Sequence, residues 1–110
     1  MRRLNRKLVL EGPVRTPDGG GGARQTWVAR GVHWAAVEAA TGAERAGEAL
    51  TLSGVAVRVF VRGAPVGSPA RPRPDDRFRE GQRLFRILSV TEADADGRYL
   101  VCQAREEVVA

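Results

Sequence analysis

Three carboxylates, Asp75, Asp76 and Glu80, crowd one short stretch of this sequence, and a second pair, Asp94 and Asp96, crowds another. Paired carboxylates suit general acid and base work or cation binding, but these two groups carry turn residues around them. Asp96-Gly97 favours a tight turn, and the remaining ligands of a calcium loop are missing after Asp94. The only histidine, His33, has no nearby cysteine or second histidine to share a metal, and no serine or cysteine is placed for it to activate. It reads as a strand histidine with a structural or surface role. The only cysteine, Cys102, lies in the apolar run from Tyr99 and reads as a small buried hydrophobe. Gly19 to Gly22 form a glycine run, yet no Gly-Lys-Ser/Thr and no helix follow, so it reads as a hairpin tip rather than a phosphate cradle. No nucleophile and base pair off, no metal-ligand cluster forms, and no cofactor is implied. An enzyme is not expected.

The elements that position these residues are strands. In Val55 to Arg62 the valines 55, 57, 59 and 61 alternate with Ala56, Arg58, Phe60 and Arg62, a period of two that predicts one buried face. In Gln82 to Thr91, Leu84, Leu88 and Val90 fall on one face and Phe85 and Ile87 on the other, so both faces are expected to make contacts. Between these two strands, Asp76 to Gly81 reads as a short strand and a tight hairpin. Upstream, Arg6 to Leu10 predicts a first strand ended by Gly12-Pro13. Gln25 to Val37 predicts a second, grouping Val28, Val32, Trp34 and Ala36 on one face, with a bulge at Gly31. Tyr99 to Glu106 is the last, with Leu100, Cys102 and Ala104 on one face.

Two connections stand out. Glu38 to Gly54 allows about two turns of helix from Ala43 to Leu52, weakened by its glycines, and is expected to be a long, partly helical or disordered excursion. Ala64 to Pro74 holds four of the 6 prolines and two arginines, so it is either a solvated loop or an extended arm for a partner. At 110 residues the chain makes a single domain, spanning residues 1–110, with an all-β fold: a small antiparallel barrel of five or six strands. The formal charge is +5, and Lys7 is the only lysine among 18 basic residues. That keeps polyanionic partners open without establishing one. No stretch approaches the apolar length of a membrane span or the pattern of a signal sequence, which predicts a protein made in the cytoplasm.

Taken in order, these pieces resemble the head-tail joining, or head-closure, family of tailed bacteriophages and gene transfer agents. The residues that carry the resemblance are the basic strand Arg6 to Leu10, Asp18-Gly19, Thr26-Trp27 and Val32-His33-Trp34-Ala35-Ala36-Val37. They continue with the loop Glu44 to Glu48, the strand Val57 to Arg62, Asp76-Arg77-Phe78, Gly81, Phe85, Ile87 and Val90. The resemblance spans nearly the whole chain, and its specificity lies in the ordered set rather than in one motif. The glycine run and the Ala64 to Pro74 loop are longer than the family pattern. The resemblance implies a structural part of a particle's neck, made in the host cytoplasm. Copies would form a homo-oligomeric ring, expected as a hexamer. It would sit between a portal or adaptor ring on the head side and a tail terminator or tail tube protein on the tail side. Double-stranded DNA would pass through the channel and be retained there. Gly42, Glu44, Arg45, Glu48, Leu50 and Leu52 are then expected in a channel or assembly loop, and Arg2, Arg3, Arg58, Arg62, Arg77, Phe85 and Ile87 at subunit or ring contacts. A monomeric nucleic-acid-binding barrel of the oligonucleotide-binding type is the alternative. Aromatic residues at 5% of the chain supply few stacking platforms for it.

Overall fold

The computed structural model describes residues 2–40 and 54–107, so the expected helix from Ala43 to Leu52 lies outside the described residues. Six antiparallel strands follow one another: β1 (Arg6–Pro17), β2 (Ala23–Ala39), β3 (Val55–Arg62), β4 (Arg77–Glu80), β5 (Arg83–Glu92) and β6 (Tyr99–Glu106). They close into a barrel in the order β1-β2-β3-β6-β5-β4. Alternation fills it. Leu8, Leu10, Ala35, Val57, Val59, Val61, Phe78, Phe85, Ile87, Leu100, Cys102 and Ala104 form one buried cluster, with Val37 and Val90 packed against it. Each fully buried aliphatic or aromatic side chain contributes roughly 1.5–3 kcal/mol of burial free energy. Cys102 is among them, and burial pushes its thiol up to about 12, beyond the range of a reactive thiolate.

Two bulges depart from strict alternation. In β5 the register with β6 slips between Ile87 and Ser89, leaving Leu88 as the extra residue. Val90 therefore returns to the inside beside Cys102, and the expected common face of Leu84, Leu88 and Val90 is broken. In β2 the slip falls between Leu10 and Glu11, where Leu10 faces Gly31 and Glu11 faces Ala29. This is the bulge expected at Gly31, and its consequence is larger than expected. Val28 and Val32 lie on opposite faces of the sheet instead of sharing one.

β1 does not end at Gly12-Pro13. It runs on to Pro17, paired with β2 down to Pro17 and Ala23. Its pairing with β4 covers only Val9 to Glu11, so Pro13 lies where β1 has a single neighbour and a missing amide donor is tolerated. Gly12 has a different purpose. A Cβ there would stand 2.6 Å from Cδ of Arg30, whose side chain passes over it on the way to Asp76. Beyond Glu11, β1 and β2 leave the barrel as a two-stranded arm, since β2 pairs with β3 only from Ala35 to Ala39. The principal extents are 51 × 33 × 24 Å.

Turns match their chemistry. Gly81, at φ +60°, makes the two-residue link between β4 and β5, and Gly97, at φ +68°, helps turn β5 into β6. The Ala64 to Pro74 segment is solvated along Pro65 to Gly67 and at Pro69, Arg73 and Pro74, as expected of a loop joining two strands, but it is anchored at its middle. It folds back over the barrel, accepting a 2.6 Å hydrogen bond from His33 of β2 at the Ala70 carbonyl, while Asp75 donates to the Ile87 carbonyl of β5 at 3.0 Å. β2 and β5 are not neighbours, so this loop bridges across the barrel, and Pro72 within it is fully buried.

Candidate assembly surfaces

The wall outside the barrel is built largely by arginines set on carboxylates. Glu11 is buried on the outer face of β1 and accepts hydrogen bonds from Nε of Arg77 at 2.7 Å and Nε of Arg79 at 2.9 Å. Burial pushes its carboxyl up, but the two guanidiniums outweigh that and hold it below its usual range. The Arg77 guanidinium also lies 4.0 Å over the ring of Trp27, which ties the root of the arm to β4. A second tie is Arg30, the side chain released by the β2 bulge, which donates to Asp76 at 2.8 Å. Asp76 also accepts from the Arg73 amide and gives its own backbone carbonyl to Ile87. Burial raises its pKa in spite of Arg30. Elsewhere Arg6 holds Glu80 and Arg83 holds Glu106, each by two hydrogen bonds, and each carboxyl is lowered by its arginine.

The residues expected at contacts divide into three groups. Arg2, Arg58 and Arg77 are engaged within the chain. Arg2 stacks 3.7 Å over Phe60 and donates to Glu38 at 2.8 Å, and Arg58 approaches the same ring at 5.7 Å and the same carboxylate at 3.4 Å. Phe60 is thereby covered although it sits on the outer face of β3, and a cleft of about 240 Å³ opens beside it between Leu4, Ala93, Asp94 and Tyr99. Arg3 and Arg62 are exposed, with no ion pair among the described residues. Phe85 and Ile87 must be corrected. They are 0% and 1% exposed, inside the barrel, and their side chains do not reach a neighbouring molecule. The alternation of β5 permitted either face to be the inner one, and in the fold Phe85 lies opposite buried Phe78 and Ile87 opposite buried Ala104. Gly42, Glu44, Arg45, Glu48, Leu50 and Leu52 lie outside the described residues.

What faces solvent instead is apolar. Val32 and Trp34 are 53% and 55% exposed on the outer wall, next to Val9 and Lys7 across the β1 pairing. Val14 and Val28 are exposed on the other face of the arm, the face that continues the barrel's interior. Trp34 was visible as a strand aromatic, but no signal in the sequence distinguished it from a core residue. The glycine tip holds an anion of its own. The Asp18 carboxylate accepts from the amides of Gly20 at 2.8 Å and Gly22 at 3.1 Å, which occupies the donors a phosphate would need. Asp94 likewise caps its own turn by accepting from the Tyr99 amide at 3.0 Å. Among the described residues no cluster of three or more His, Cys, Asp or Glu side chains is placed to hold a metal ion, and no helix is long and apolar enough to cross a membrane.

The fold has close relatives among solved structures. A chain from the virion of a native gene transfer agent particle superposes with a TM-score of 0.80 at 59% identity, with 100% of both chains covered. The solution structure of protein SF1141 from Shigella flexneri 2a gives a TM-score of 0.71 at 22% identity, covering 100% of this chain and 98% of that one, which speaks for the fold alone. No curated protein matches. The family model for the phage head completion protein matches residues 1–107, the whole of the described barrel and arm. Matched by that model from residue 1 to residue 107, this chain belongs to the phage head completion proteins.

Proposed function

We propose that this protein is a neck component of a gene transfer agent or tailed-phage particle. Copies form a ring between the portal or adaptor and the tail, continue the DNA channel and help retain packaged DNA. Membership of the head completion family makes it a structural part of the head-tail region of such a particle. The observation that carries the finer reading is the end-to-end likeness, at 59% identity, to a chain of the native gene transfer agent virion. The chemistry of the chain agrees with a structural role. Its buried carboxylates, Glu11 and Asp76, are turned to arginines that brace the wall, its histidine to a loop carbonyl, and its cysteine to the core. Exposed Arg3 and Arg62 supply cations for carboxylates of adjacent rings, and the exposed valines and Trp34 supply apolar contact. Residues 42–54 form the segment that reaches the channel or a neighbour.

Two experiments test this. The mass of the purified protein, alone and with the portal-side proteins of its own particle, is expected to report a discrete ring, formed freely or on the partner. A monomer that ignored those proteins and bound single-stranded nucleic acid would instead establish the oligonucleotide-binding alternative. Replacing Gly42 to Gly54 by a short Gly-Ser linker is expected to leave the barrel folded while particles assemble poorly or lose DNA. Full, transducing particles from that variant would remove the loop from the mechanism.

A further inference from the structure

Two opposite sides of the barrel carry opposite charge. Along the outer face of β1, Lys7 and Arg15 are exposed and make no ion pair among the described residues, and Glu11 between them is held by two arginines. The other carboxylates of β1, β2 and their connection are engaged as well, Asp18 by the amides of its own loop and Glu38 by Arg2 and Arg58. This face is therefore positive, and exposed Trp34 lies on it beside Lys7. In the order β1-β2-β3-β6-β5-β4, the β1–β2 pair stands opposite the β6–β5 pair. The connection there reads Glu92-Ala93-Asp94-Ala95-Asp96-Gly97-Arg98, three carboxylates against one arginine. Glu92 makes no ion pair among the described residues, and Arg98 lies 3.7 Å from Asp96 with both largely exposed. Other cations leave this tip acidic: Arg86 pairs with Asp75, Arg105 is buried, and Arg62, opposite Tyr99 at the root, makes no ion pair with it. The tip is also held in shape, since Ala93 donates to the Tyr99 carbonyl at 2.9 Å and Gly97 to the Asp94 carbonyl at 3.2 Å.

We infer that the acidic β5–β6 tip of one copy docks on the Lys7–Trp34 face of the next. This deepens the ring reading above and rests on it. The two surfaces are complementary in charge, and each would repel its own kind, so the contact is heterologous. Because they lie on opposite sides of one subunit, the contact repeats from copy to copy and closes a ring if the rotation allows. Exposed ion pairs contribute little each. Charge therefore selects which face meets which, and Trp34 with Val32 supplies the apolar area. Ala93 and Ala95, both exposed, alternate with the carboxylates and put no bulky side chain between the tip and the Trp34 ring. Each subunit of the ring makes the contact twice, once with its tip and once with its β1–β2 face.

Lys7 is the only lysine of the chain, so its amine is a built-in probe of that face. The full chain, assembled alone or on the portal-side proteins of its particle, is treated with a water-soluble carbodiimide, which condenses an amine with a carboxylate in contact with it. Denatured products are then sized and their peptides mapped. The expected result is a ladder of linked subunits up to the ring's copy number, with Lys7 joined to Glu92, Asp94 or Asp96. Rings of normal mass in which Lys7 is joined to another particle protein, to other carboxylates of this chain or to none would overturn the contact and leave the ring reading in place. Absence of any ring under either condition would remove both. Charge reversal gives a second readout. Lys7→Glu with Arg15→Glu, and separately Glu92→Lys with Asp96→Lys, are each expected to keep the thermal midpoint of the wild type and to lose assembly. An equimolar mixture of the two variants is expected to regain rings, since every contact between alternating copies is again one of opposite charge. Rings from either variant alone, or none from the mixture, would count against the contact.

Discussion

β1 and β2 lead two lives. In their barrel halves Leu8, Leu10 and Ala35 are 0% exposed, whereas Val14 and Val28, on the continuation of the same inner face, are 40% and 50% exposed. Residue type does not separate them, since all are aliphatic on alternating positions. What differs is the opposite wall. Where β4, β5 and β6 complete the circle, the inner face becomes a core. Where β1 loses β4 after Glu11, the same face becomes surface. An apolar stripe on a strand therefore announces contact with something, and only the closure of the sheet says whether that partner lies in the same molecule.

Truncating the barrel side should cost the most. Phe85→Ala is expected to destabilise by about 3–5 kcal/mol in chemical denaturation, enough to threaten a domain of this size. A loss under about 1 kcal/mol would mean that the closed core does not hold the fold. Asp76→Ala comes next, at roughly 3 kcal/mol, because it strands the largely buried Arg30 guanidinium and frees the loop end. By comparison, Arg83→Ala, at a half-exposed pair, should cost less than about 1 kcal/mol.

A smaller effect is set by pH. Burial lowers the pKa of His33, with the hydrogen bond to Ala70 pulling it partly back. The unfolded chain then takes up a proton near the ordinary value of 6.5 that the folded chain resists, so stability is fully present above that pH and falls as pH drops below it. Thermal melts of the wild type should decline over this range, and those of His33→Gln should be flatter. Equal slopes would show that His33 does not stay neutral in the fold. Glu11, Glu80 and Glu106, held low by their arginines, act in the separate window below about 4.5. The smallest effect belongs to the arm. Val14→Ala is expected to change monomer stability by less than about 0.5 kcal/mol, and a loss comparable with that of Phe85 would refute the division drawn here.

Much of this architecture was legible in the residues. The valines of β3, the Leu100-Cys102-Ala104 face of β6 and the turn at Asp96-Gly97 needed only a period of two and a glycine in the right place. What escaped was whatever depends on a bulge or on distance in sequence. Leu88 moved Val90 inward, Arg30 moved Val28 away from Val32, and neither slip has a mark in a single sequence beyond Gly31. Pro72 is buried because the proline loop is stiff enough to be laid across a barrel whose walls stand far away in the chain. Proline content pointed to an extended segment but could not say against what. The exposed Trp34 looked like any core aromatic, since exposure is a property of the closed sheet.

The unequal edges of the arm have a consequence for the protein before it finds its particle. The barrel leaves only a short open edge, on β5 beyond its pairing with β4, so among the described residues the longest unpaired edges lie on the arm. One of them carries Pro13 and Pro17, which spoil it as a template for a further strand. The other, Ala23 to Ala29 of β2, contains no proline. Free copies waiting in the cell are therefore vulnerable to errant strand pairing on one side only, and the side left open belongs to the same strand that bears Val28.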